Sequence, residues 1–160
     1  MRTPKMDIFS KERLDSLWRL ACTILCNKED ARDVVQDVMM RVWEQPLEPV
    51  NVNTYLTQSI RNACIDRLRS RRNQTDSIPE IPAESNIDAM SDREIVRFAM
   101  DRLPENLRTT VHLKDIEGYD TSEIAQILGI QENNVRALLS RGRKMMRAII
   151  EKEIRYEVRH

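Results

Sequence analysis

The stretch from Asn133 to Arg147, NNVRALLSRGRKMMR, is rich in side chains that hydrogen-bond to nucleobase edges and phosphates, and it contains no acid. Arginine pairs with a guanine edge and asparagine with an adenine edge, while lysine, arginine or serine meets a phosphate oxygen. Projected at helical periodicity, Asn133, Arg136, Ala137, Ser140, Lys144 and Arg147 share one face, with Arg141 at its edge. Val135, Leu138, Leu139, Gly142, Met145, Met146 and Ile149 share the other. A solvated helix face usually mixes glutamate with lysine to gain pairs one turn apart, and this face does not. The pattern predicts a helix that reads a nucleic-acid groove.

A second basic set lies upstream. From Arg61 to Arg72 there are five arginines against one aspartate. A helix C-terminus favours some positive charge, but five arginines exceed what the helix dipole asks for. Enzymatic chemistry has no comparable constellation: there is no nucleophile, base and orienter set, and no glycine-rich phosphate loop. Cys64 beside Asp66 does not make one. Cys22 and Cys26 lie four apart, on one helix face, yet neither His112 nor His160 stands at ligand spacing from them, so no metal or other cofactor is expected. The three cysteines have neither the number nor the spacing of a disulfide framework, no signal peptide is recognised, and no apolar run is long enough to span a bilayer. These features predict a non-enzymatic, non-membrane protein of the reducing cytoplasm.

The elements that must carry these residues are helices. Three glycines and 4% aromatics in 160 residues argue against a sandwich or barrel. Ser10 can cap a helix through Cys26, Asn27 a second from Lys28 to Glu44, and a third is expected from Asn53 or Thr54 to Arg72. Residues 73–91 hold four acids, no base, two prolines and no periodicity, and are read as a flexible linker. Ser91 with Glu94 restarts helix, a further helix is expected from Pro104 to Glu117, and Gly118 closes it. Asp120 with Glu123 opens the stretch EIAQILGIQENNVRALLSRGRK, in which Ile124, Ala125, Leu128, Gly129, Ile130, Val135 and Leu138 have the spacing of a helix-turn-helix. The expected architecture is all-α, with two small helical domains at 1–72 and 92–160. Net charge is zero overall, which by itself argues against a purely electrostatic nucleic-acid binder, but the sum hides a strong segregation along the chain.

The segment LPENLRTTVHLKDIEGYDTSEIAQILGIQENNVRALLSRGRKMMR (Leu103 to Arg147) closely resembles the promoter-reading domain of bacterial sigma factors of the extracytoplasmic-function type, in the sigma-70 family. DARDVVQDVMMRVWE (Asp30 to Glu44) and YLTQSIRNACIDRLRSRR (Tyr55 to Arg72) resemble that family's N-terminal domain. The resemblance covers nearly the whole chain in the right order. It implies a protein that binds core RNA polymerase and directs it to promoter DNA, with an anti-sigma factor as regulatory partner. Asp33, Gln36, Asp37 and Met40 then fall at positions that dock on the polymerase. Arg136, Ala137, Ser140 and Arg141 fall at positions that read the minus-35 element, with Asn133, Asn134 and Lys144 beside them. Minus-10 recognition falls to Arg61, Asn62, Arg67, Arg69, Arg71 and Arg72, with Asn51 and Asn53 in the loop from Gln45 to Asn53 that receives a flipped base. Two departures from the family pattern stand out: Tyr55 where tryptophan is common, and Gln131 at a capping position that usually holds serine or aspartate. From the residues alone, a stand-alone helix-turn-helix repressor or activator remains the alternative.

Overall fold

The computed structural model describes residues 8–45, 51–74 and 89–158. Seven α-helices fill them: α1 Lys11–Leu25, α2 Lys28–Glu44, α3 Val52–Gln74, α4 Asp92–Asp101, α5 Glu105–Val111, α6 Thr121–Leu128 and α7 Glu132–Val158. Pro46 and Pro49 of the expected base-receiving loop, and linker residues 75–88 with all four linker acids, lie outside the described residues.

Four helix starts follow from a polar cap. The Ser10 hydroxyl accepts from the Arg13 amide, the Asn27 carbonyl oxygen from Asp30, the Ser91 hydroxyl from Glu94 and the Asp120 carboxylate from Glu123. Asn51 does the same for α3, accepting from the Thr54 amide at 3.2 Å, so α3 begins at Val52. At the other ends, Cys26 with φ 54° and Gly129 with φ 68° adopt the left-handed conformation that closes α1 and α6.

The first unit, α1 to α3, packs Leu20 and Ile24 of α1, Val34 and Val38 of α2, and Leu56 and Ile60 of α3 into one core. Ala31, Val34, Val35, Val38 and Val42 form a buried stripe along α2. In the second unit, Leu107 and Val111 of α5, Ile124 and Ile127 of α6, and Val135 and Leu139 of α7 do the same. The two units also meet directly, α1 against α5 and α3 against α6. Buried apolar side chains of both units belong to one continuous cluster.

Two expectations are corrected. The helix from Pro104 to Glu117 is not α-helical throughout: after Val111 it widens into a π turn, His112–Ile116, with the Glu117 amide bonded to the His112 carbonyl at 3.0 Å. Met145, assigned to the apolar stripe of α7, is 40% exposed, whereas Gly142 of the same stripe is buried and Met146 packs against the core. A Cβ at Gly142 would lie 2.7 Å from Val111 Cγ2, so the glycine lets α7 approach α5 closely. Gly142→Val is therefore expected to lower unfolding stability by about 2 kcal/mol despite the better helix propensity of valine. Urea denaturation checks this, and Val111→Ala in the same chain is expected to recover part of the loss.

Candidate functional site

Three surfaces and one seam carry the residues of interest. On α2, burial of Ala31, Val34, Val35, Val38 and Val42 turns Asp33, Gln36, Asp37 and Met40 outward; all four are exposed, Met40 at 64%. The result is an acidic helix face with an apolar side chain standing in it. Asp33 is partly engaged by Arg67 at 3.6 Å, whereas Asp37 makes no ion pair with any described residue.

The basic end of α3 is less uniform than its sequence. Arg67 reaches Asp30 at 3.4 Å, and Arg71 pairs with the other oxygen of the same carboxylate. Both fall, by resemblance, at minus-10 recognition positions; in the structure their guanidinium groups tie α3 to the first turn of α2. Arg69 and Arg72 are exposed. Arg61 bonds the Asn62 side chain at 3.3 Å, while its Nε is buried without a hydrogen-bond partner among the described residues. Asn51 is occupied as the α3 cap, and the Asn53 side-chain oxygen accepts from Arg13 Nε at 2.8 Å. Each asparagine oxygen is therefore already engaged within the first unit.

The outer face of α7 matches its expected form. Asn133, Asn134, Arg136, Ser140, Arg141 and Lys144 are exposed and Ala137 is half-buried among them. Val135, at 0% exposure, and Leu139 anchor the opposite side, which fixes the rotation of the helix about its axis. Arg136 is pre-oriented by Asn133 at 3.0 Å and Glu132 at 3.3 Å. Between α6 and α7 lies a shallow basic cleft lined by Lys114, Thr121, Arg136, Ser140, Lys144 and Arg147, a surface suited to a phosphate backbone. Arg143, although basic, forks onto Asp115 at 2.6 and 3.1 Å and fastens α7 to the π turn.

The seam between the two units is polar at its heart, and sequence reasoning missed it. Arg108, 8% exposed, crosses from α5 to donate to the last carbonyls of α1: Thr23 at 2.6 Å and Ile24 at 2.8 Å, with Leu103 of its own unit at 2.9 Å. Those carbonyls lie in the last turn of α1, where only the Cys26 thiol reaches Thr23, at 3.7 Å, so the guanidinium satisfies them and complements the negative end of the helix dipole. Glu117 receives Arg19 through a two-bond fork at 3.0 and 3.2 Å, Ser16 at 2.6 Å and His112 Nε2 at 3.1 Å. His112 Nδ1 lies 2.9 Å from the Thr23 hydroxyl, and Thr57 and Tyr119 share a 2.9 Å hydroxyl bond. The π turn makes this possible, since an extra residue per turn brings His112 and Glu117, five apart, to one side.

Burial alone would raise the Glu117 carboxyl, but the hydrogen bonds from His112, Arg19 and Ser16 overcome it and hold the group down at about 2, against an ordinary 4.5. A depressed folded-state value means stability that is fully present above pH 4.5 and is lost as pH falls toward 2. Glu117→Gln is expected to destabilise the chain at pH 7, with the gap to wild type narrowing as the pH drops through that window; urea midpoints at pH 7, 4 and 3 measure it. No group of His, Cys, Asp and Glu among the described residues could hold a metal ion. Burial pushes the Cys64 thiol up to about 12, which makes it unreactive at neutral pH.

Comparison with known proteins adds an independent line. The family profile for Sigma-70 region 2 matches residues 10–74, and that for Sigma-70 region 4 matches residues 93–146. The chain is 31% identical over 161 aligned residues to the ECF RNA polymerase sigma factor SigE of Mycolicibacterium smegmatis, covering 93% of this chain and 63% of that protein. It is 30% identical to the ECF RNA polymerase sigma factor SigL of Mycobacterium tuberculosis, covering 77% of this chain and 76% of that one. Among solved structures, the sigma factor RpoE in complex with the anti-sigma factor NepR from Bartonella quintana superimposes with a TM-score of 0.71 at 20% identity, covering 88% and 92% of the two chains. CnrH in complex with the cytosolic domain of CnrY gives a TM-score of 0.61 at 21% identity, covering 86% and 82%.

Proposed function

The chain belongs to the extracytoplasmic-function RNA polymerase sigma factors of the sigma-70 family, and on that premise we propose that it seats on core RNA polymerase and directs transcription initiation at particular promoters. The observation that carries the proposal is the pairing, on one chain, of an acidic outward face on α2 with an acid-free outward face on α7 from Asn133 to Arg147. The first suits docking on a basic protein surface; the second suits a major groove.

In this reading the first helical unit, at 1–72, docks on the polymerase through Asp33, Gln36, Asp37 and Met40 and handles the minus-10 element with Arg61, Asn62, Arg69 and Arg72. Arg67 and Arg71 serve there mainly by holding α3 to α2. The second unit, at 92–160, reads the minus-35 element through Arg136, Ala137, Ser140 and Arg141, with Asn133, Asn134 and Lys144 alongside. Arg136 and Arg141 supply base-edge donors, Ala137 offers a methyl contact for thymine, and Ser140 and Lys144 hold the backbone. Residues 73–91 tether the two. The protein acts as an initiation factor, with no reaction of its own, in the cytoplasm where the polymerase works. No helix of the described residues is long and apolar enough to cross a membrane. An anti-sigma protein that covers the polymerase-facing surfaces is proposed as its regulatory partner, on the pattern of the two complexes named above.

A mobility-shift titration separates this function from that of a stand-alone repressor. The free chain is expected to shift promoter duplex weakly and to shift it strongly once core polymerase is added. Strong, salt-sensitive binding of a palindromic duplex by the chain alone would contradict the proposal.

A further inference from the structure

Arg143 stands among the cations of the cleft between α6 and α7, which it lines together with Lys114, Arg136, Lys144 and Arg147. Ser140 lies one helical turn before it and Arg147 one turn after, so its position in the sequence is that of another phosphate contact. Its guanidinium is nevertheless engaged by an acid on a different element, the Asp115 carboxylate of the π turn, in a fork of 2.6 and 3.1 Å. Arg136, by contrast, is held within its own helix by Glu132 and Asn133.

The side chains of Arg143 and Asp115 are 48% and 42% exposed, and an ion pair so open to water adds little to folding stability. What the fork does restrain is the rotation of α7. Val135 and Leu139 anchor the first turns of that helix by burial. At its closest approach to α5, however, α7 presents Gly142, where a Cβ would lie 2.7 Å from Val111 Cγ2. A glycine permits the approach but sets no side chain into a groove of α5, so that contact does not resist a roll of α7 about its axis. Met146, one turn on, is a flexible side chain and only half-buried. Ser140, Arg141 and Lys144 surround this weak point. A roll of about 10° moves a side-chain tip about 6 Å from the axis by about 1 Å, enough to spoil a two-bond contact with a base edge.

Asp115 is a firm mount for such a restraint. Its turn is closed by the Glu117 amide on the His112 carbonyl and the Tyr119 amide on the Leu113 carbonyl, both at 3.0 Å, and Leu113 is fully buried. Moving Arg143 to a phosphate would exchange one charge-assisted fork for another and leave the Asp115 carboxylate uncompensated beside a polyanion.

We propose that Arg143 is a positioning residue for promoter reading: through its fork on Asp115 it fixes the rotation of α7, and with it the aim of Arg136, Ser140 and Arg141, without itself holding DNA. This assignment rests on the reading of α7 as the minus-35 helix.

The test compares wild type with Arg143→Gln, Asp115→Asn and the double variant, each as the full-length chain assembled with core RNA polymerase. Fluorescence anisotropy measures binding to two duplexes that share a minus-10 element and carry either a cognate or a scrambled minus-35 element. Arg143→Gln is expected to lower the preference for the cognate duplex by about five- to tenfold and to leave the salt dependence of binding as in wild type. Asp115→Asn, which alters no residue of α7, is expected to lose the preference to the same extent, and the double variant to lose no more than either. Urea midpoints of all three are expected to stay close to wild type. Equal weakening on both duplexes by Arg143→Gln, with a salt slope smaller by about 0.9, would mark Arg143 as a phosphate anchor and overturn the proposal. An unchanged preference in Asp115→Asn, or additive losses in the double variant, would overturn it as well. A wild type that binds both duplexes equally would remove the promoter-reading assignment of α7 itself, and this proposal with it.

Discussion

Replacing Asp33 and Asp37 together by arginine is expected to abolish co-purification with core RNA polymerase while leaving the fold intact. Both side chains stand on the exposed face of α2, opposite the buried valine stripe, so the substitutions touch no core contact. Asp33 does lose its 3.6 Å contact to Arg67, but Arg67 keeps Asp30 at 3.4 Å and the link between α2 and α3 survives. Each reversal removes a favourable charge from the proposed interface and places a like charge there, an effect of about 2–5 kcal/mol per interfacial pair. Two of them should weaken the complex by more than about a hundredfold even at the lower figure. Fluorescence anisotropy against labelled core polymerase measures the affinity, and circular dichroism with urea denaturation monitors the fold. Undiminished binding by a folded double variant would remove the docking assignment from α2.

The second large effect is expected on specificity. Arg136→Ala and Arg141→Ala should each lower discrimination between a cognate and a scrambled minus-35 element by about 1–3 kcal/mol, roughly 5- to 150-fold. Arg136 is the sharper test, because Glu132 and Asn133 already fix its guanidinium and little ordering is left to be lost on binding. Competition assays with the polymerase-bound chain give the ratio directly. A uniform loss on every sequence would mark these arginines as phosphate anchors instead. Ala137 gives a complementary check, since Ala137→Asp should repel the duplex wherever the helix lies in the groove.

Local chemistry made much of the fold legible. Ser10, Asn27, Ser91 and Asp120 cap the helices that their positions in the sequence announce, and Gly129 takes the positive φ that the turn between α6 and α7 requires. The α2 and α7 faces could be read because burial of an apolar stripe dictates what points outward. What escaped the sequence depends on contacts between elements. Arg67 and Arg71 look like free cations until α2 brings Asp30 beside them. Arg108 resembles any surface arginine until α1 presents the two carbonyls of its last turn. The π turn at His112–Ile116 has no local signature either: its wider register is imposed by His112 and Glu117 having to meet Thr23, Ser16 and Arg19 at the same time. Asn51 and Asn53 fall in the base-receiving loop by resemblance alone, and their amides suit a helix cap and an arginine acceptor equally well.

Run-off transcription from a promoter library, with purified core polymerase and with or without this chain, tests the central claim most directly. The expected result is initiation that depends on the added chain and concentrates on a subset of templates sharing one pair of upstream elements. Transcript levels and start sites unchanged by the chain, on every template, would contradict it.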